Sequence, residues 1–269
     1  MEYFIYYFQV FLLIFSRMLA FFSVVPVISS SSFSTQARLG LVFLVTIVIF
    51  PLVVHLFYQV PDNMLAFFLF CLGEAIIGIF FGFLVAITFS LFQTAGQFFT
   101  IQMGFGASEV FDPLSQISIP IMGNFLYFIA IMVFLSLKGP LMLINGIYQS
   151  YLSVTVFDLA GKTGLFVNDL IVIFKNMFRL SLIIAFPLVG TLLLVTLSTG
   201  LLAKAAPQMN LLIIGFPISI SVAFILILVT LPAMVYLMNY IIERLFIDLR
   251  VIIKGFALTI IKLPVFLIL

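Results

Sequence analysis

Seven apolar runs, each long enough to cross a lipid bilayer, occupy most of this chain of 269 residues. A spanning helix needs about 20 apolar residues. On that rule the runs fall at 3–28, 39–60, 64–92, 114–137, 139–157, 180–203 and 208–242. In hydrocarbon every backbone N–H and C=O must be satisfied internally, so runs of this kind fold as helices. The sequence therefore predicts an all-α integral membrane protein. Pro217 and Pro232 in the last run predict a kink or a split into two shorter helices. Lys138-Gly139-Pro140, the whole link between the fourth and fifth runs, predicts a tight helical hairpin.

Composition agrees. Charged residues make up 7% of the chain and hydrophobic ones 65%, whereas soluble domains carry roughly a quarter charged residues. A water-soluble fold of this length cannot hide so much apolar surface. A net charge of +2 gives no electrostatic footprint for a nucleic-acid partner. One Cys and one His exclude an internal disulfide and a zinc site built from those ligands. Cys71 reads as a small packed side chain, and His55 as the polar end of the second run. The start, Met1-Glu2 without a basic region and with Arg17 inside the run, argues against a cleaved signal peptide. There is no H-E-x-x-H, no nucleophile elbow and no nucleotide loop, so the expectation is a non-enzyme without a cofactor or metal.

Basic residues suggest an orientation. Seven alternating spans collect Arg38, Lys162, Lys175, Arg179, Arg244, Arg250, Lys254 and Lys262 on one side and leave Lys138 and Lys204 on the other. The positive-inside rule then sets the N-terminus outside and the C-terminus in the cytoplasm.

Several polar residues stand out against this background. Glu74 sits in an apolar run, where a carboxylate must face protein or water and find a partner. Arg17, the one cation well inside the first run, is the internal partner that suits it. Gly78 and Gly82 form a G-x-x-x-G pair that permits close helix contact. Two readings fit Glu74: a proton or ion site, or a buried contact to a neighbouring helix. Gln93, Gly96, Gln97, Thr100 and Gly104 recur at helical spacing and share one face. That face suits a pore lining, a subunit seam or hydrogen bonding within one bundle. Gln102, Met103, Gly104, Phe105 and Gly106 then lead into Glu109, Asp112 and Pro113, where continued helix is disfavoured. This is either an exposed loop or a constricting segment lining a cavity. Lys204, Pro207 and Gln208 mark a polar turn between helices. Arg244 and Asp248 have the spacing of an ion pair in a tail that reads as a membrane-surface helix or a partner-binding segment.

Four of these places, in this order and spacing, resemble the FliR family of type III export-gate proteins. They are Ser16-Arg17 with Pro26; Gly73-Glu74 with Gly78 and Gly82; Gln102-Met103-Gly104 through Ala107 to Asp112-Pro113; and Gly200-Leu201-Leu202-Ala203-Lys204-Ala205-Ala206-Pro207-Gln208-Met209-Asn210 followed by Gly215-Phe216-Pro217. The likeness covers nearly the whole chain. The chain departs from the family at Lys204, where Arg is common, and at Pro140, near which the family often carries His.

The resemblance implies one export-gate domain of long, kinked helical hairpins, with about 1–179 similar to FliP and about 180–269 similar to FliQ. It implies a structural core subunit of the flagellar protein export gate in the bacterial inner membrane, at the basal body. Unfolded flagellar subunits would pass through that gate. The implied partners are FliP-like and FliQ-like subunits in a hetero-oligomeric ring, an FlhB-like gate protein and the export substrates. The segment from Gln102 to Met122 would be the plug that helps close the pore. Arg17, Glu74, Gly78, Gly82, Gln93, Gly96 and Gln97 would serve helix packing or a subunit seam. The rival reading from the residues alone is a secondary transporter or ion channel of the inner membrane.

Overall fold

The computed structural model describes residues 2–29, 33–56, 60–61, 63–104, 120–157, 163–206 and 211–261. Among these the regular structure is helical, as the apolar runs require. The helices named below are α1 (Glu2–Val24), α2 (Pro26–Ser29), α3 (Thr35–Val53), α4 (Met64–Met103), α5 (Ile121–Ser136), α6 (Gly139–Ser153), α7 (Thr163–Ala205) and α8 (Leu211–Ile261), and a 3-10 turn, Val54–Leu56, follows α3. Pro26 separates α1 from α2, because the residue before a proline is driven away from helical geometry. Ser34 caps α3 by accepting a hydrogen bond from the Ala37 N–H at 3.2 Å.

The seven-span reading is corrected. Tyr3–Val24, Thr35–Leu56, Met64–Met103, Val167–Ala205 and Gly215–Lys254 are long and apolar enough to cross a membrane. The fourth and fifth runs became α5 and α6, of 16 and 15 residues. At 1.5 Å per residue each is only about 23 Å long, short of a hydrocarbon core of about 30 Å. The broken pair therefore adds at most one span. The division of basic residues between two sides, which assumed seven alternating spans, loses its basis. The break between α5 and α6 is made by Lys138, which takes the left-handed conformation at φ 56°. Pro140 then occupies the first turn of α6, where its missing N–H costs nothing.

Three other boundaries moved. The stretch 158–179, which falls between the fifth and sixth runs, is helical from Thr163, and Lys175 and Arg179 lie on exposed sides of α7. Pro217 and Pro232 do not divide α8, which runs unbroken for 51 residues. The tail from Glu243 does not leave the fold. It continues α8, and Leu245, Phe246, Leu249 and Ile253 on one helical face are buried.

The helices gather into two compact units. The first comprises Met1–Ile87, Lys138–Ile173 and Glu243–Leu269. Its interior is organised by α1, where Val10, Leu13, Ile14, Arg17, Met18 and Phe21 recur every three or four residues and are buried. α3 packs on α1 through edge-to-face rings, Phe11 against Phe43 at 5.7 Å and against Phe50 at 5.9 Å.

The second unit comprises Thr88–Leu137 and Phe174–Ile242. There the later half of α4 packs on α5. Phe89, fully buried, meets Phe134 edge to face at 5.3 Å and Tyr127 at 6.2 Å. Leu188 and Leu192 of α7 and Ala223, Ile227 and Met238 of α8 complete this interior.

Candidate functional site

Arg17 is 1% exposed and Glu74 2% exposed, and they form an ion pair at 2.5 Å. The guanidinium Nε donates to Glu74 Oε2. Nη1 donates to the Ser150 hydroxyl at 3.2 Å and Nη2 to the Val154 carbonyl at 3.0 Å. The cation also lies over the Tyr151 ring, 4.3 Å from its centroid. Tyr151 returns to α1 by donating its hydroxyl to the Ile14 carbonyl at 2.8 Å. Arginine stays protonated in any protein environment, so this buried cation needs both a counter-charge and partners for its N–H groups. Here it has them, and three helices, α1, α4 and α6, are joined at one point.

The glycine pair beside it explains how α4 comes close enough. Gly78 lies against the Arg17 carbonyl and Gly82 against the Phe21 carbonyl, 2.8 Å from where a Cβ would stand. The four-residue step on α4 matches the four-residue step on α1, so the same ridge meets the same groove twice. The Ser16 hydroxyl adds a third tie by donating to the Cys71 carbonyl at 2.8 Å.

The polar stripe divides by residue. In the second unit Gly96 meets the backbone of Gly123, and Gln93 donates to Asn124 Oδ1 at 3.4 Å. These are contacts between α4 and α5 of the same chain. Thr100 is buried and donates to the Gly96 carbonyl of its own helix at 2.7 Å. Gln97 stays exposed.

At the end of the stripe Gln102 is half-buried and Met103 fully buried. Gly104 turns the chain out of α4 at φ +85°, and a Cβ there would also strike the Phe216 ring. Met122, on the far side of the gap, is buried in the first turn of α5. Phe105, Gly106, Glu109, Asp112 and Pro113 lie outside the described residues, as do Pro207 and Gln208. Lys204 is exposed in the last turn of α7, where a cation complements the helix dipole. Arg244 and Asp248 are paired at 3.3 Å on the surface of α8. His55 is exposed in the 3-10 turn.

Sequence reasoning missed Ser150, Tyr151 and Val154, which surround Arg17, as well as Gly123 and Phe216. No local signal marks the first three, since a Ser and a Tyr near the end of an apolar helix look like ordinary boundary residues. Gly123 had a signal: it is the one glycine in α5, among mostly large apolar residues.

Comparison with known proteins bears on most of the chain. The family described as "Bacterial export proteins, family 1" matches residues 8–245. The chain is 30% identical over 227 residues to the "Flagellar biosynthetic protein FliR" of Bacillus subtilis (strain 168), covering 82% of this chain and 86% of that one. It is 35% identical over 184 residues to the protein of that name from Borreliella burgdorferi, 68% of each chain. To the Escherichia coli (strain K12) protein of that name it is 28% identical over 238 residues, 86% of this chain and 87% of that one.

Proposed function

We infer what the protein does from one premise: the chain belongs to the bacterial export proteins of family 1, together with the FliR-type flagellar biosynthetic proteins. It is a component of the flagellar export apparatus, embedded in a membrane by long apolar helices. The finer reading is that it is a structural core subunit of the export gate. It sits in the inner membrane at the base of the flagellum and forms part of the channel for unfolded flagellar subunits. Its work is assembly and closure, without catalysis. Its partners are FliP-like and FliQ-like chains in a mixed ring, with the FliP-like portion in about 1–179 and the FliQ-like portion in about 180–269. An FlhB-like protein is the neighbour on the cytoplasmic side.

The observation that carries this reading is the length of the uncovered apolar surface. Over an apolar stretch of 18 residues, α7 and α8 are only 28% and 22% buried within the chain, against 61% for α4. Exposed large apolar residues continue from Val167 to Leu202 on α7 and from Ile218 to Val251 on α8. At 1.5 Å per residue each stretch is about 50 Å long. A core of about 30 Å covers only about 39 Å of a helix tilted by about 40°. Lipid alone leaves part of this surface exposed to water, and apolar helices from other subunits are what would cover it.

The plug reading of the segment from Gln102 to Met122 is supported by Gly104, whose positive φ ends α4. The transporter reading rests on broken helices and on the buried carboxylate of Glu74 as a proton or ion site. Glu74 is instead neutralised by Arg17.

Affinity purification tests the gate reading. A tagged copy extracted from cells in mild detergent is expected to bring FliP-like and FliQ-like chains with it in a fixed ratio. Recovery of this chain alone, together with substrate-dependent uptake by it in vesicles, would replace the gate with a transporter.

A further inference from the structure

We propose that residues 154–157, which follow α6, form a strap latched onto α4, and that Arg17 and Gly73 together hold it in place. The proposal is independent of the export reading, and every residue in it belongs to the first unit. It accounts for the glycine directly before Glu74, which the ion pair alone does not.

The sequence stops α6 at this point. Val154, Thr155 and Val156 are three β-branched residues in a row, and such side chains crowd the preceding turn of a helix. Val154 takes extended backbone, φ −125° and ψ 116°, after its N–H has closed the last turn on the Ser150 carbonyl. Carbonyls at a helix end lack partners within the helix. Arg17 Nη2 supplies one to the Val154 carbonyl at 3.0 Å. A cation at this end also complements the dipole of α6.

The residues that follow lie along one turn of α4. Phe70, Gly73 and Glu74 are spaced i, i+3 and i+4, so they share a face. Glu74 holds Arg17, which holds Val154. Gly73 faces the Val156 side chain so closely that a Cβ would strike its Cγ1. Phe70 meets the Phe157 ring edge to face at 5.5 Å. As the strap advances from Val154 to Phe157, its contacts step back from Glu74 to Phe70. Its register is therefore set at three points.

The hold is shallow. Val154 is buried, but Thr155 is exposed, Val156 half-buried and Phe157 73% exposed. A segment with so few buried apolar contacts opens at lower free energy than the core beneath it. Arg17 keeps Glu74 and the Ser150 hydroxyl when the strap lifts, so the core does not open with it. α7 begins at Thr163, six residues beyond Phe157. A chain of that length reaches at most about 20 Å. A seated strap thus confines the start of α7, and a lifted one releases it.

The test is hydrogen exchange followed by mass spectrometry, on the full-length protein in detergent. Gly73→Ala is expected to raise exchange about tenfold in 154–157 and in the first turn of α7, the effect of losing about one net contact. Exchange in α3 should not change. Val156→Ala leaves only its Cβ 3.3 Å from the added methyl, so combining it with Gly73→Ala should restore most of the protection. Arg17→Lys keeps a charge for Glu74 but cannot reach Ser150 and Val154 at once, and it should loosen the strap by a similar factor. Phe157 is exposed, so Phe157→Ala leaves the unit folded and should loosen the strap even if Gly73→Ala disturbs α3. Wild-type exchange in 154–157 of Phe157→Ala or Arg17→Lys overturns the proposal. So does loosening in Gly73→Ala that Val156→Ala fails to reverse, or a loosened strap beside a fully protected start of α7.

Discussion

Gly78 lies against the main-chain carbonyl of Arg17, closer than any side chain would allow. The obstacle is backbone, which no rotamer change can move aside. Gly78→Ala is therefore expected to destabilise the detergent-solubilised protein by about 1–3 kcal/mol, the usual cost of overpacking. Gly40 and Gly190 are also helical, but a Cβ at either meets nothing within 4 Å. Alanine there should be neutral or stabilise by up to about 1 kcal/mol through helix propensity. Thermal unfolding of the three variants side by side checks the contrast.

Arg17 and Glu74 should prove unequal to their separate deletions. Glu74→Leu leaves a buried cation without its counter-charge, and breaking such a pair costs about 3–5 kcal/mol. Glu74→Gln keeps an oxygen that can accept from the guanidinium and should cost less. Arg17→Met combined with Glu74→Leu removes both charges, and should recover much of the stability lost in Glu74→Leu. A double-mutant cycle on thermal stability measures this. Additive losses would mean that the pair does not act as a unit.

Gly104 makes two demands, and they separate experimentally. Its φ of +85° disfavours any L residue, and its Cα faces the Phe216 ring. Gly104→Ala should lose stability, and Phe216→Ala should restore only the part caused by the ring. About 1–2 kcal/mol for the left-handed backbone should remain. If the segment beyond Gly104 closes the pore, deleting 104–115 should raise ion leak in cells that assemble the complex. A deletion that assembles and leaks no more than the wild type removes the plug role.

Much of this was legible in the sequence for a physical reason. Arg17 and Glu74 stood out because each interrupts an apolar run, and a charge there must be paired. The all-helical class was equally plain, because the bilayer leaves apolar segments few alternatives. The span count was less readable, since counting residues cannot distinguish one helix from two broken at a residue such as Lys138. The stretch 163–179 carries enough charge to resemble a loop, because residue type alone does not show which face of a helix a charge occupies. On α7 Lys175 and Arg179 are exposed and disturb no packing. Ser150, Tyr151 and Val154 stayed invisible because their role exists only once α6 lies beside α1. Of the readings the polar stripe allows, Gln93 and Gly96 take contact within the chain, to α5, while Gln97 is exposed.

In cells that lack this chain, hook and filament subunits should stay inside, and secretion into the medium should return when the wild-type chain is supplied from a plasmid. Undiminished secretion of those subunits without the chain would contradict the central claim.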